Sequence, residues 1–147
     1  MDFEALDAGD RELVEAARDA LRRNYTPGRH TVAAAVLCSS GKIYTGINVE
    51  ATGYGPCAEP IAVGAALTQG ERTLRAIVAV SKDADALPIL SPCGNCRQLI
   101  LDYAPDAWVL LDLDGKVQKA RARDLLPGAY RSDFDGSDPE APGRGGS

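Results

Sequence analysis

The spacing of apolar residues near the start of the chain predicts an amphipathic helix. Over residues 10–24, Leu13, Ala20 and Leu21 recur at helical spacing, and arginine and aspartate occupy the opposite face. The helix is expected to end at the Thr-Pro-Gly sequence of residues 26–28, because proline lacks the amide hydrogen that a helix interior needs.

The next segments predict a β-hairpin followed by a loop. Residues 31–38 form a short apolar run, and residues 42–47 continue with β-branched and aromatic side chains after a Ser-Ser-Gly turn. Residues 48–56 are polar and contain two glycines and a proline. A loop held by regular elements is where binding groups are commonly found.

The second half of the chain alternates helices with strands. The predicted elements are a helix from Cys57 to Gly70, a buried strand over 74–80, a helix from Cys93 to Tyr103, strands over 108–113 and near Val117, and a short helix over 124–126. Interleaved helices and strands favour a layered α/β domain with helices packed on a central sheet.

Length and composition fit one domain and a tail. The chain has 147 residues, of which 45% are hydrophobic, which suffices for one compact core. We therefore predict a single domain over residues 1–131. Residues 132–147 contain one aromatic residue and no periodicity, and we predict that they form a disordered tail.

The charge balance argues against a nucleic-acid-binding protein, and the hydropathy argues against a membrane protein. The 16 basic and 21 acidic residues give a net charge of -5, which repels a phosphate backbone, and no basic cluster offsets it. No segment reaches the roughly 20 apolar residues of a membrane span, and the acidic start lacks the features of a secretory signal. A cytoplasmic protein with reduced thiols is expected.

Three of the four cysteines are spaced like zinc ligands. Cys93 and Cys96 form a Cys-x-x-Cys pair, which alone is typical of half a zinc site, a redox pair or two small buried residues. Cys57 begins another predicted helix, and three protein ligands leave the open position of a catalytic zinc site. Cys38 lies in an apolar strand and is expected to pack in the core, although as a fourth ligand it would close the site.

The predicted helix starts at Cys57 and Cys93 suit the charge of such a site. Three thiolates leave a net negative charge on the zinc complex, which the free N–H groups and positive dipole end of each helix offset. Arg97 is expected to donate hydrogen bonds to the sulfurs from the second shell. The alternative for Arg97 is a solvated helix arginine.

Glu59 is the candidate proton carrier. It follows Cys57 by two residues, so its carboxylate can lie near the open position without being a ligand. There it can accept a proton from a water that the metal activates and return it to a ring nitrogen and a leaving amine. Without the neighbouring cysteines, Glu59 would be interpreted as a first-turn acid that interacts favourably with the helix dipole.

These motifs resemble the signature of the zinc-dependent deaminases. Residues 57–59, Cys-Ala-Glu, and 92–98, Pro-Cys-Gly-Asn-Cys-Arg-Gln, are similar to the three-cysteine form of the small homotetrameric cytidine deaminases and the blasticidin-S deaminases. Over about residues 10–130 this resemblance implies a three-layer α/β/α fold with a mixed five-stranded sheet. It further implies one zinc ion per subunit, held by Cys57, Cys93 and Cys96, with Glu59 as proton shuttle and a homotetrameric assembly.

The resemblance also implies substrate-binding residues. Asn48 and Glu50 match the pair that holds the ribose hydroxyls, and Tyr130 matches an aromatic residue that approaches the substrate in a neighbouring subunit. His30 stands where cytidine deaminases usually carry a phenylalanine and looks more like the blasticidin-S branch. The alternatives are polar loop residues for the first pair, and a surface or packing residue for the histidine.

The implied reaction is hydrolysis of the exocyclic amino group of cytidine or deoxycytidine to give the uracil nucleoside and ammonia, in the context of pyrimidine salvage. A modified cytosine nucleoside such as blasticidin S is the alternative substrate, which His30 and residues 102–106, Asp-Tyr-Ala-Pro-Asp, favour. The loop over residues 50–57 is about two residues shorter than in either branch, and Pro60 replaces a common arginine. The alternatives to a deaminase are a non-catalytic zinc-binding module and a thiol redox protein that uses Cys93 and Cys96.

Overall fold

A computed structural model of the chain describes residues 3–131. Its elements are α1 (Ala8–Asn24), β1 (Val32–Cys38), β2 (Ile43–Ile47), α2 (Ala58–Thr68), β3 (Leu74–Ser81), β4 (Ile89–Leu90), α3 (Gly94–Tyr103), β5 (Trp108–Leu113), β6 (Lys116–Arg121) and a final 3-10 helix (Ala122–Leu125). The predicted order of elements is confirmed, apart from the unpredicted β4. The tail predicted over residues 132–147 lies outside the described residues.

The strands form one mixed sheet. Five strands follow the order β2-β1-β3-β5-β6, in which β3 and β5 are parallel and the other neighbours are antiparallel. The sixth strand, β4, pairs only with the end of β3, through Ala79–Leu90 and Val80–Ile89. The prediction of five strands was therefore one short, because two residues beside a proline carry no periodic pattern and pair with a distant segment.

The helices cover both faces of the sheet. One face packs against α1, in a buried cluster that includes Leu13, Leu21, Ala35, Val78 and Leu110. The other face packs against α2 and α3, in a cluster that includes Val36, Val63, Ile77, Ile100 and Val109. Successive strand residues alternate between the two clusters, as the pleat of a strand requires. The predicted three-layer α/β/α arrangement is confirmed.

One glycine lets β2 lie closely against α2. A Cβ atom added to Gly46 would lie 2.5 Å from the backbone nitrogen of Ala62, a distance that no real side chain tolerates. Glycine is therefore required at this position in β2, because only it lets the strand and the helix backbone approach so closely. This contact fixes where α2 stands relative to the sheet.

Several chain segments meet at one edge of the sheet. β1 begins at this edge, whereas its antiparallel neighbours β2 and β3, and the parallel β5, end there. In α/β sheets, ligands commonly bind at the carboxyl ends of the parallel strands. The segments that lead into α2 and α3 also lie here, and Ser91 Oγ donates to the carbonyl of Asp112, 3.2 Å away, near the end of β5.

Within residues 3–131, no helix has the length and apolar character needed to cross a bilayer.

Candidate metal centre and active site

Three cysteine sulfurs meet where α2 and α3 begin. Cys57 and Cys93 are the N-cap residues of the two helices, and Cys96 lies in the first turn of α3. Their sulfur atoms all lie within 4.8 Å of one another, and the Sγ atoms of Cys57 and Cys93 are 3.9 Å apart. A tetrahedral zinc ion with bonds of about 2.3 Å places its sulfur ligands roughly 3.8 Å apart. The cluster therefore has the dimensions of a zinc site.

The fourth cysteine is remote from this cluster. Cys38 is fully buried among apolar side chains on the α2 and α3 face of the sheet. Burial raises the pKa of its thiol, which favours the neutral form of an inert core residue. The predicted packing role of Cys38 is confirmed, so the three clustered sulfurs leave one tetrahedral position for solvent or substrate.

The start of α3 supplies a backbone hydrogen-bond donor to one of the sulfurs. Neither Cys57 nor Cys93 caps its helix through a side-chain hydrogen bond. Hydrogen bonding from the backbone N–H of Cys96 lowers the pKa of the Cys93 thiol. Burial raises the pKa of the Cys57 and Cys96 thiols, so a bound cation is needed to keep all three sulfurs ionised.

Glu59 lies beside the sulfur cluster with its carboxyl group buried. It is the second residue of α2 and only 5% exposed. Burial raises the pKa of the carboxyl, and the neighbouring Cys96 thiol and its own backbone N–H partly oppose this shift. A carboxyl whose pKa is raised toward neutrality can both take up and release a proton during a reaction.

Arg97 supports the site through backbone carbonyls. Its Nε donates to the carbonyl of Pro92, 2.9 Å away, and its Nη1 donates to the carbonyl of Leu125, 3.2 Å away. The sequence had predicted hydrogen bonds to the sulfurs instead. The side chain ties the segment before Cys93 to the final 3-10 helix, and it thereby holds the cysteine loop in place.

Asn48, Glu50 and His30 form a second polar group at the same edge of the sheet. Asn48 follows β2 and is buried, and its Nδ2 donates to Glu50 Oε1 at 3.2 Å. His30 precedes β1, and its Nδ1 lies 2.9 Å from the carbonyl oxygen of Asn48. The structure therefore brings together all three residues that the sequence assigned to substrate binding in this part of the chain.

Tyr130 approaches α3 through its backbone. Its carbonyl accepts a hydrogen bond from Nε2 of Gln98 at 3.0 Å, and the same nitrogen donates to Asp102 at 2.9 Å. The Tyr130 side chain is 76% exposed and thus available to a substrate or a second subunit. Sequence reasoning missed Gln98, although its place directly after Cys96 and Arg97 in the cysteine motif was a signal.

Comparison with known proteins agrees with this geometry. Residues 8–112 match the family model of the cytidine and deoxycytidylate deaminase zinc-binding region. A blasticidin-S deaminase of Bacillus cereus is 39% identical over 128 residues, covering 82% of this chain and 91% of that protein. A cytidine deaminase of Halalkalibacterium halodurans is 36% identical over 126 residues, covering 82% of this chain and 93% of that protein.

Solved structures show the same relationship. The crystal structure of cytidine deaminase from Mycobacterium tuberculosis matches with a TM-score of 0.70 and 33% identity, covering 86% of this chain and 100% of that one. That of cytidine deaminase from Burkholderia pseudomallei matches with a TM-score of 0.68 and 35% identity, covering 82% of this chain and 98% of that one.

Proposed function

The chain belongs to the cytidine and deoxycytidylate deaminase family, and we propose that its substrates are cytosine nucleosides, cytidine and deoxycytidine first. It is a zinc-dependent hydrolytic deaminase, whose reaction consumes water and releases ammonia. The observation that carries the proposal is the cluster of three sulfurs, spaced for zinc, beside the buried carboxyl of Glu59.

Cys57, Cys93 and Cys96 would hold the zinc ion. When bound there, zinc supplies the Lewis acidity that makes water a nucleophile near neutral pH. Glu59 takes the proton that water loses as it adds to C4 of the cytosine ring, and delivers it to ring nitrogen N3. The same carboxylate then moves the proton of the new C4 hydroxyl to the amino group, which leaves as ammonia while the C4 carbonyl forms. Burial of Glu59 keeps its carboxyl apart from bulk water during both transfers.

The sugar is assigned to the second polar group. Glu50 lies on the loop that leads into α2, and its carboxylate is a strong acceptor for ribose hydroxyls. Asn48 and His30 accompany it at the same edge of the sheet. Tyr130 is proposed to approach the substrate of a neighbouring subunit, and Gln98 holds its backbone.

A modified cytosine nucleoside is the second candidate substrate. It is supported by the 39% identity to the blasticidin-S deaminase of Bacillus cereus and by histidine at position 30, where cytidine deaminases usually carry phenylalanine. Ammonia release from cytidine, deoxycytidine and blasticidin S in parallel decides between the two. We expect the highest kcat/KM with cytidine or deoxycytidine, and rapid turnover of blasticidin S alone would overturn the first choice.

We also propose that the protein is a homotetramer. Apart from Glu59 near its start and Thr68 at its end, α2 is apolar or small on every side, and Ile61, Ala65 and Leu67 remain partly exposed. A helix that is apolar all round is normally buried on all sides, so a second subunit is the expected cover. Sedimentation equilibrium should give four times the chain mass. A fully active monomer would refute the proposal.

We further propose that the protein works in a reducing compartment such as the cytoplasm, because its cysteines are free thiols.

A further inference from the structure

The Asp-Tyr-Ala-Pro-Asp stretch of residues 102–106 begins with a side chain that holds Gln98. Oδ1 of Asp102 accepts a hydrogen bond at 2.9 Å from Nε2 of Gln98, which lies one turn earlier in α3. The same nitrogen donates to the backbone carbonyl of Tyr130 at 3.0 Å. A primary amide has two N–H donors, so Gln98 uses both of them in these two contacts.

The orientation of the Gln98 amide follows from its partners. An ionised carboxylate and a backbone carbonyl can only accept hydrogen bonds, so the nitrogen of the amide must face both of them. A flipped amide would place its oxygen against two acceptors. Asp102 therefore fixes the rotation of the Gln98 side chain, and Gln98 in turn holds the Tyr130 carbonyl.

Two adjacent side chains of α3 hold the final segment of the domain on both sides of a turn. Arg97 donates from Nη1 to the carbonyl of Leu125 at 3.2 Å. Gln98, the next residue of α3, donates to the carbonyl of Tyr130. Between these two points the chain reverses at Gly128, whose φ of +65° lies in the left-handed region that favours glycine. The reversal brings the chain back to the helix that begins at the zinc cysteines.

This arrangement holds the backbone of Tyr130 and leaves its ring uncovered by the described residues. The side chain is 76% exposed, although the carbonyl is hydrogen-bonded. Fixing a backbone segment costs conformational entropy, and an aromatic ring offsets none of that cost while it stays in water. A tyrosine held in this way is arranged for a contact outside its own chain, which in the proposed function is the substrate of a neighbouring subunit.

We propose that Asp102 and Gln98 are positioning residues for Tyr130. Asp102 orients the Gln98 amide, and the amide sets the place from which the tyrosine ring meets the substrate, while neither side chain touches the substrate itself. Asp102, the first residue of the stretch that resembles the blasticidin-S branch, thereby acquires a role. The proposal rests on the proposed function, because Tyr130 can act on substrate binding only if a nucleoside is bound beside it.

The two hydrogen bonds can be tested without a substrate. In nitrogen-15 NMR of the zinc-loaded protein, the side-chain amide protons of Gln98 should exchange with water on the order of 10-fold more slowly than those of Gln69, which is exposed at the end of α2. Asp102→Leu should reduce this protection, whereas Tyr130→Ala should keep it, because the acceptor is a backbone carbonyl. Equal exchange rates for both glutamines in the wild type, or full protection in Asp102→Leu, would overturn the proposal.

Turnover of the nucleoside that the wild-type enzyme consumes tests the consequence for the substrate. Tyr130→Ala should raise KM roughly 10-fold through the loss of an aromatic contact, with kcat less affected. Gln98→Leu and Asp102→Leu should each raise KM roughly 3- to 10-fold, because a displaced tyrosine loses part of that contact. An unchanged KM in any of the three variants would contradict the proposal. If the wild type consumes no cytosine nucleoside, the proposed function fails, while the exchange measurement still decides whether the two side chains hold Tyr130.

A double-mutant cycle distinguishes a positioning residue from one that binds the substrate. If Gln98 acts only through the tyrosine ring, Gln98→Leu should have no further effect on KM in a Tyr130→Ala background. The same cycle with Asp102→Leu should give the same result. Effects on KM that multiply would show that Gln98 or Asp102 contributes to binding by another route, and the positioning role would then be wrong.

Conservative variants test the same point if the leucine variants unfold. Gln98→Glu keeps the shape of the side chain and removes both donors, so it should raise KM as Gln98→Leu does, and an unchanged KM would count against the proposal. Asp102→Asn keeps an oxygen that can accept from Gln98, so its KM should stay within about threefold of wild type. A KM as high as that of Asp102→Leu would show that the hydrogen bond is not what positions the tyrosine.

The matched control lies on the other face of the sheet. Asn24→Ala removes a hydrogen bond from Nδ2 to the carbonyl of Ala20, 2.8 Å away, at the end of α1. It should leave KM and kcat unchanged, because this contact does not involve α3 or the segment that carries Tyr130. A rise in KM equal to that of Gln98→Leu would mean that any lost side-chain hydrogen bond has this effect, and would remove the special role of Gln98.

Discussion

The three helices of this domain begin in two different ways. At the start of α1, the Asp7 carboxylate accepts from the backbone N–H of Asp10 at 2.8 Å, and the Asp10 carboxylate accepts from the N–H of Asp7 at 2.9 Å. This reciprocal capping box satisfies donors that the helix would otherwise leave free. At the starts of α2 and α3, Cys57 and Cys93 occupy the cap position without capping.

The difference separates stability from function. The α1 start is completed by Lys119, buried against Asp10 with a distance of 2.7 Å between Nζ and Oδ2, which ties the helix to β6. At the start of α3, the backbone N–H of Cys96 lowers the pKa of the Cys93 thiol, so this helix start stabilises a thiolate. The charges at the start of α1 are balanced by protein groups alone, whereas the cysteines at the starts of α2 and α3 require a bound cation. Variants of the first region should therefore lose stability, and variants of the second should lose zinc and activity.

The largest effect is expected from Glu59→Gln. The amide cannot shuttle protons, so kcat should fall by roughly 10²- to 10⁴-fold, while bound zinc and thermal stability stay close to wild type. Ammonia release and metal analysis of the same preparation measure both properties. Glu12→Gln, an exposed substitution on α1, is the matched control. Unchanged turnover in Glu59→Gln would remove this residue from the mechanism.

Zinc content distinguishes the ligand cluster from the core cysteine. Cys93→Ala removes one of three clustered sulfurs and should reduce bound zinc from about one per chain to near zero, with activity lost in parallel. Cys38→Ala should keep its zinc and lose only folding stability, by about 1 to 2 kcal/mol, because it leaves a small cavity in the core. Zinc loss in Cys38→Ala would contradict the three-sulfur site.

Lys119→Met should weaken the fold without changing the chemistry. It leaves the Asp10 carboxylate buried without its cation, so the free energy of unfolding should fall by about 3 kcal/mol. Urea denaturation measures the change, and Lys116→Met, at an exposed position of the same strand, should have little effect. A similar loss in both variants would show that the buried ion pair contributes nothing specific.

The smallest effect concerns pH. Hydrogen bonding from the Asp10 N–H, together with the charge of Lys119, lowers the pKa of Asp7 below its ordinary 3.8. Because the folded pKa is depressed, the stabilisation exists above pH 3.8 and disappears as pH falls through the lower folded value. Asp7→Asn keeps a capping oxygen and loses the charge, so it should be slightly less stable than wild type at pH 7.

The difference between Asp7→Asn and wild type should shrink in acid. Thermal denaturation from pH 7 down to about pH 2 measures it, with Asn24→Ala as a variant whose stability difference should stay constant with pH. A constant difference for Asp7→Asn would show that its charge has no role.

On the alkaline side, burial disfavours charged Lys119, but its hydrogen bond to Asp10 and the neighbouring carboxylates raise its pKa. Its contribution is therefore present below pH 10.5 and lost as pH rises above that value.

Much of the fold could be predicted from local patterns. Helical spacing located α1, and apolar runs located β1, β3 and β5, because burial of one face or two leaves a periodic trace in the sequence. The capping box of α1 was missed although the Asp-x-x-Asp spacing of residues 7–10 was visible. β4 and the backbone pairing of Glu4 with Lys119 left no such trace, because they depend on partners far along the chain.

The site divides in the same way. The chemistry of the metal centre could be predicted from the sequence, because thiolates at helix starts, with a carboxylate two residues after one of them, suit few other tasks than holding a catalytic zinc ion. The roles of Asn48, Arg97 and Lys119 could not be predicted, since each bonds to groups that the fold brings from distant segments. The ligand motifs are local and chemically restrictive, whereas the role of a hydrogen-bonding side chain depends on which partners lie within about 3 Å of it.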